Sequence, residues 1–329
     1  MNRPIRLLQV LVTVLALALV AACSPTGGDG GTVAPPPPTS APSVEPPSHD
    51  ATPGTPEPSG SPAPTAPPTS GPIPTPAPSS AGSTIVRAYF YLGSFTDNPG
   101  LVPVLREIPA TQAVATAAME ALLDGPSPAE LGARPAMYTA VPAGTRLLGL
   151  RIEDRIAIVN LSREFESGGG SMSIFGRLAQ VVYTLTQFPT VGGVSFELDG
   201  TPVTVFSGEG VILDEPVSRD DYRDDQLPEI FVDRPAWGAA ANNPARITGL
   251  TRVFEATFQV QLIDAQGDLV ANETVTATCG TGCWGTFDVT LTYDVSRSQW
   301  GTLRVLEYSA RDGQPVNVRD YPIWLTPAR

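Results

Sequence analysis

LLGLRIEDRIAIVNL, residues 147–161, contains the chain reversal on which the reading of the fold turns. Leu147 to Ile152 and Arg155 to Leu161 are two apolar runs with Glu153-Asp154 between them, the pattern of a hairpin. The second run is apolar on both faces apart from Asn160, which predicts a central strand. Upstream, Val86, Ala88, Phe90 and Leu92 alternate with Ile85, Arg87, Tyr89 and Tyr91, the signature of a half-buried strand. A helix is expected from Thr111 as N-cap, with Val114, Ala117, Ala118, Ala121 and Leu122 on one face and Gly125-Pro126 as its stop. Ser127, Pro128 and Glu130 read as a capping box opening a short second helix. Downstream, Ile174, Leu178, Val181, Val182 and Leu185 form the inner face of a helix over 173–188. Val194, Phe196 and Leu198 follow as a strand ending at the Asp199-Gly200 turn. Residues 84–218 are therefore expected to form an α+β domain, helices packed on a sheet.

Residues 227–329 carry strand patterns only. Phe258, Val260 and Leu262 alternate with Gln259, Gln261 and Ile263, and Asp264 to Gly267 is a turn. Leu269, Ala271, Val275, Ala277 and Cys279 share one parity on the return, and Cys283, Phe287, Val289, Leu291 and Tyr293 share one in the next strand. Further strands are expected at 302–310 and 316–325, separated by Arg311-Asp312-Gly313. About seven short strands in a hundred residues predict an immunoglobulin-like β-sandwich. With Gly280-Thr281-Gly282 as a tight hairpin, Cys279 and Cys283 face each other across two strands, within reach of a disulfide. Trp284 then falls on the polar face unless Gly285 is a bulge, and it is either a core residue or an exposed contact residue.

The N-terminus places this chain outside the cytoplasm. Arg3 and Arg6 precede an apolar run that ends in Val20, Ala21, Ala22 and Cys23, a secretory signal with a lipoprotein cleavage site. Residues 1–22 are read as the signal, with Cys23 as the lipid attachment point and membrane lipid as its partner. Residues 23–83, rich in Pro, Thr and Ser, have too few large apolar side chains to offset the entropy of ordering and are expected to be a disordered tether. In a polyproline II conformation it would reach about 190 Å. The formal charge of −13 becomes −15 once the signal's two arginines are removed, which argues against nucleic acid as a partner. In this compartment Cys279 and Cys283 have an oxidising setting, with Cys23 acylated.

Catalytic patterns are sparse. The single histidine, His49, lies in the tether, so Ser-His-Asp and Cys-His arrangements lack a base in either domain. Two cysteines cannot fill a zinc site. No cofactor or metal is implied and no catalytic residue is assigned, although Glu164 and Glu166 are the nearest pair for glycoside chemistry. Gly168 to Gly170 is a loop that could receive an anion at the following helix, but reads more simply as a flexible connection. The acidic stretch Arg219 to Asp225 lacks the spacing of a calcium loop. It is expected to be a solvated linker, 219–226, between domains that each close without the other.

Three segments carry a resemblance: Leu122 to Pro126 (LLDGP), Val159 to Phe165 (VNLSREF) and Val182 to Val191 (VYTLTQFPTV). Residues 84–218 resemble the GerM-N domain of sporulation and spore germination. Through Ile247-Thr248-Gly249, Gly285-Thr286-Phe287 and Tyr308 to Gly313, residues 227–329 resemble the immunoglobulin-like domain of bacterial spore germination. The resemblance implies a non-catalytic scaffold or interaction module in the cell envelope, with an envelope protein or cell-wall partner. A sensor or binding protein for a small molecule or wall glycan is the alternative, and an enzyme comes third.

Overall fold

The computed structural model describes residues 82–93 and 100–328. The expected signal, its cleavage residues Val20, Ala21 and Ala22, Cys23, and the Pro-rich tether with His49 lie outside the described residues.

The first domain opens with β1 (Ser83–Leu92), paired antiparallel along its whole length with β2 (Gly100–Pro109). β2 has no counterpart in the sequence reading, because Pro103 and Pro109 obscure it. Pro103 is tolerated at this edge, and its carbonyl accepts a bond from the Trp237 amide in the second domain. α1 (Val114–Leu123) starts later than expected. Its N-cap is Ala113, and the Thr111 hydroxyl instead accepts the Ala113 amide in a local turn. α2 (Pro128–Leu131) has the expected capping box. Glu130 both closes that box and pairs with Arg106.

β3 (Met137–Tyr138) pairs with β1. β4 (Leu147–Glu153) and β5 (Ile156–Leu161) form the hairpin, with Asp154 and Arg155 at φ 47° and 68° in its turn. After a 3-10 turn at Arg163–Glu166 comes α3 (Ser171–Leu185), then β6 (Gly193–Leu198). β6 runs parallel to β5, and β5 is central as expected. β7 (Thr201–Pro202) completes this sheet, and β8 (Val205–Phe206) and β9 (Val211–Ile212) make a short hairpin.

The helices do not rest on one sheet. α1 and α3 lie between the sheet β2-β1-β3 and the sheet β4-β5-β6-β7, touching strands of both. Consequently α3 is buried around nearly its whole circumference from Ile174 to Leu185, and not only on one apolar face. Two of its buried polar side chains, Arg177 and Gln180, bond to backbone. Gln180 donates to the Tyr89 carbonyl and accepts from the Ala140 amide, stitching β1 to the segment after β3.

A 3-10 turn (Arg219–Asp221) and α4 (Arg223–Gln226) lead into the second domain. Its strands are β10 (Ile230–Arg234), β11 (Ala240–Ala241), β12 (Ala245–Thr251), β13 (Thr257–Ile263), β14 (Leu269–Thr276), β15 (Gly285–Leu291), β16 (Gln299–Tyr308) and β17 (Pro315–Leu325). They form two sheets, β10-β12-β15 and β11-β17-β16-β13-β14. Phe258 and Phe287 meet between them with ring centres 4.9 Å apart. β14 and β15 therefore belong to opposite sheets, and residues 277–284 are a crossover, not the expected hairpin. Leu269 is exposed instead of inward, because a bulge at Leu262/Ile263 shifts the register before it.

The two domains share one hydrophobic core. Val104 in β2 bridges to Trp237, and Gly100 sits so close to Pro228 that an added Cβ would lie 2.6 Å from the proline Cδ. Tyr89 and Tyr91 of β1, expected on a wetter face, are fully buried because Tyr183 and Gly176 of α3, Tyr138 of β3 and the segment around Arg219 and Gln226 cover them. The expectation that each domain closes alone does not describe this interface.

Candidate interaction site at the domain junction

The stretch expected to be a solvated acidic linker is instead a folded bridge. Tyr222 and Gln226 are buried, and Gln226 accepts a hydrogen bond from the Tyr91 hydroxyl. The bridge starts with Ser218, whose amide donates to Asp221 (2.6 Å) and whose hydroxyl accepts from the Asp220 amide. Its acidic residues supply caps and ion pairs, and among the described residues no group of three or more His, Cys, Asp or Glu is arranged to hold a metal.

On the side of the first domain the bridge is held by Arg219. Its guanidinium donates to the Thr186 hydroxyl (2.8 Å), the Tyr183 carbonyl (2.9 Å) and the Tyr89 hydroxyl (3.2 Å). It also lies over the rings of Tyr183 and Tyr89, 4.7 and 5.4 Å from their centres. Tyr89 donates in turn to Asp233 of β10, which pairs with Arg87 of β1. Burial pushes the phenols of Tyr89 and Tyr183 upward, and the Arg219 charge opposes that shift.

On the side of the second domain the bridge meets Trp284. The indole Nε1 donates to Asp224 (2.5 Å), and Arg252 and Arg223 lie 5.2 and 6.0 Å from its ring centre. Arg252 also pairs with Asp224 and Glu229, and the hydrogen bond to Glu229 is the main reason its pKa is raised. An open groove of about 760 Å³ runs along this contact, with Phe254, Gly282 and Cys283 among its walls. Trp284 is half-buried, packed against the shared core on one side and lining the groove on the other. Cys279 and Cys283 are joined in a disulfide with Cα atoms 5.9 Å apart, inside the crossover loop.

The other residues singled out in the sequence are placed apart from this junction. Glu164 is exposed, and a hydrogen bond from Ser162 holds its carboxyl below the usual range, opposite to what a general acid requires. Glu166 accepts the Ser207 amide. The carbonyls of Phe165, Ser167 and Gly168 all point at the buried Arg177, so the glycine loop wraps a cation. Desolvation lowers the pKa of that arginine. Sequence reasoning missed Arg219, since an arginine in a run of charges carries no sign of two tyrosine rings contributed from about 36 and 130 residues away.

Residues 87–204 match the family model described as sporulation and spore germination, and residues 229–314 match the immunoglobulin-like domain of bacterial spore germination. Comparison with curated proteins finds no match. Among solved structures, the first GerMN domain of the sporulation protein GerM from Bacillus subtilis is 22% identical, with 42% of this chain and 99% of that chain covered and a TM-score of 0.36. The tandem GerMN domains of the same protein are 27% identical, with 42% and 46% covered and a TM-score of 0.33. A candidate lipoprotein from Clostridium perfringens is 23% identical, with 46% and 99% covered and a TM-score of 0.31.

Proposed function

Because this chain carries a sporulation and spore germination domain followed by the immunoglobulin-like domain of bacterial spore germination, we propose that it is a lipid-anchored interaction module of the cell envelope. The observation that carries the reading is the pairing of these two family domains in one chain, joined through a shared core. Cys23 supplies the membrane anchor, and residues 23–83 let the paired domains work at a distance from the lipid surface. The chain performs no catalytic step of its own. Its partner is an envelope protein or wall polymer.

Crosslinking in intact cells followed by capture of the chain should recover a discrete envelope partner, and failure to enrich any envelope component would count against the reading. The anchor is tested separately. Cys23→Ala should lose the diacylglyceryl group from the N-terminal peptide in mass spectrometry, and equal detergent-phase partitioning of the two forms would remove the lipid from the proposal.

A further inference from the structure

We infer that the Cys279–Cys283 disulfide is an exchange site for an external dithiol, and that its reduction releases the second domain's hold on the bridge. The placement of the bond carries the argument. Cys283 lines the open groove, and both cysteines are only half-buried, so a thiolate can approach one sulfur from solvent. The ring it closes is short and ends immediately before Trp284, the residue that binds Asp224 of the bridge.

The same ring packs against a neighbouring turn. Glu255 and Ala256 hold left-handed backbone conformations at φ 53° and 58°, which are costly for residues with a Cβ. Gly280 packs against Ala256 with no room for a Cβ of its own. The Thr281 amide donates to the Val253 carbonyl, and its hydroxyl accepts the Glu255 amide. Opening the ring frees Gly280 and Thr281 to move away from the turn and leaves Trp284 held from one side only, by β15.

The exchange balances as follows. A thiolate of the dithiol attacks Cys283 Sγ, and the Cys279–Cys283 bond breaks with Cys279 leaving as thiolate. The second thiol of the reagent then attacks the mixed disulfide and releases Cys283. The dithiol is oxidised to its disulfide, two electrons reduce the protein's bond, and the two thiol protons end on Cys279 and Cys283.

Dithiothreitol applied to the folded full chain, followed by alkylation and peptide mass spectrometry, should label Cys279 and Cys283 without denaturant. Hydrogen exchange at 223–226 and 280–284 should then quicken by up to about thirtyfold, the ratio a five-residue ring gives in the chain-entropy model. Exchange around Arg219 should stay unchanged. The variant Cys279→Ser/Cys283→Ser should reproduce the reduced state without reductant, and Trp284→Ala should loosen 223–226 in either redox state. Labelling only after denaturation would overturn the accessibility claim. Normal exchange at 223–226 in both the reduced chain and the double serine variant would overturn the release.

Discussion

The two ends of the bridge grip their domains by different physics. Arg219 is partly buried, lies over two tyrosine rings and makes three hydrogen bonds to the first domain, so its position is fixed by several contacts at once. Asp224, Arg252 and Glu229 hold the second domain through charges that stay 30 to 66% exposed, assisted by one indole. Charge in a partly buried, hydrogen-bonded setting contributes far more than charge in water. The first contact should therefore be structural and lasting, and the second adjustable.

The largest expected effect comes from cutting the bridge. Fragments 84–218 and 225–329 would each expose a face that is now shared, with Tyr89 and Val104 on one and Phe231 and Trp237 on the other. Calorimetry should show each fragment melting below the full chain, and unchanged melting of both would show that the shared core is dispensable.

Arg219→Ala comes next. It leaves the Tyr183 carbonyl and two phenols without their cation and should cost about 3 kcal/mol in urea unfolding. A loss below about 1 kcal/mol would place this contact with ordinary surface ion pairs.

The enclosed end should also be sensitive to alkali. Burial raises the Tyr89 and Tyr183 phenols, so the unfolded chain releases these protons first. The stability they contribute is complete below the unfolded pKa of about 10 and is lost as pH rises through the higher folded values. Tyr183→Phe should flatten the fall in stability above that pH, and a parallel slope would remove Tyr183 as its source.

The open end should respond weakly. Trp284→Ala is expected to cost about 1–2 kcal/mol through lost burial and cation contact. Arg252→Ala should cost less than about 1 kcal/mol, an effect that high salt reduces because Asp224 is exposed and Glu229 only partly buried. If Arg252→Ala proved as damaging as Arg219→Ala in concentrated salt, the contrast between the two ends would fail.

Much of the fold was legible because it depends on neighbours in the chain. The Ser127-Pro128-Glu130 capping box, the reversal after Glu153 and the apolar character of β5 rest on contacts a few residues long. The same kind of reading failed where two alternatives share a local pattern. Gly280-Thr281-Gly282 between cysteines suits a hairpin and a crossover equally, and only the pairing of β15 with β12 decides between them. Thr111 offered a cap that Ala113 took, and the prolines of β2 hid a strand whose edge is covered by the other domain.

The candidate site divides in the same way. Compartment and the short spacing between Cys279 and Cys283 were enough to pair them, although the bond lies in a crossover loop and not across the facing strands that parity suggested. That Trp284 stacks near Arg252 and Arg223, and that Arg219 lies between Tyr89 and Tyr183, depends on side chains separated by 32 to 130 residues in sequence. Their meeting is set by how two domains pack, and no short segment encodes that. Local order follows from hydrogen bonding and turn preferences that each segment carries with it, whereas the folding of the acidic bridge and the opening of the groove arise only when one domain's surface becomes the other's interior.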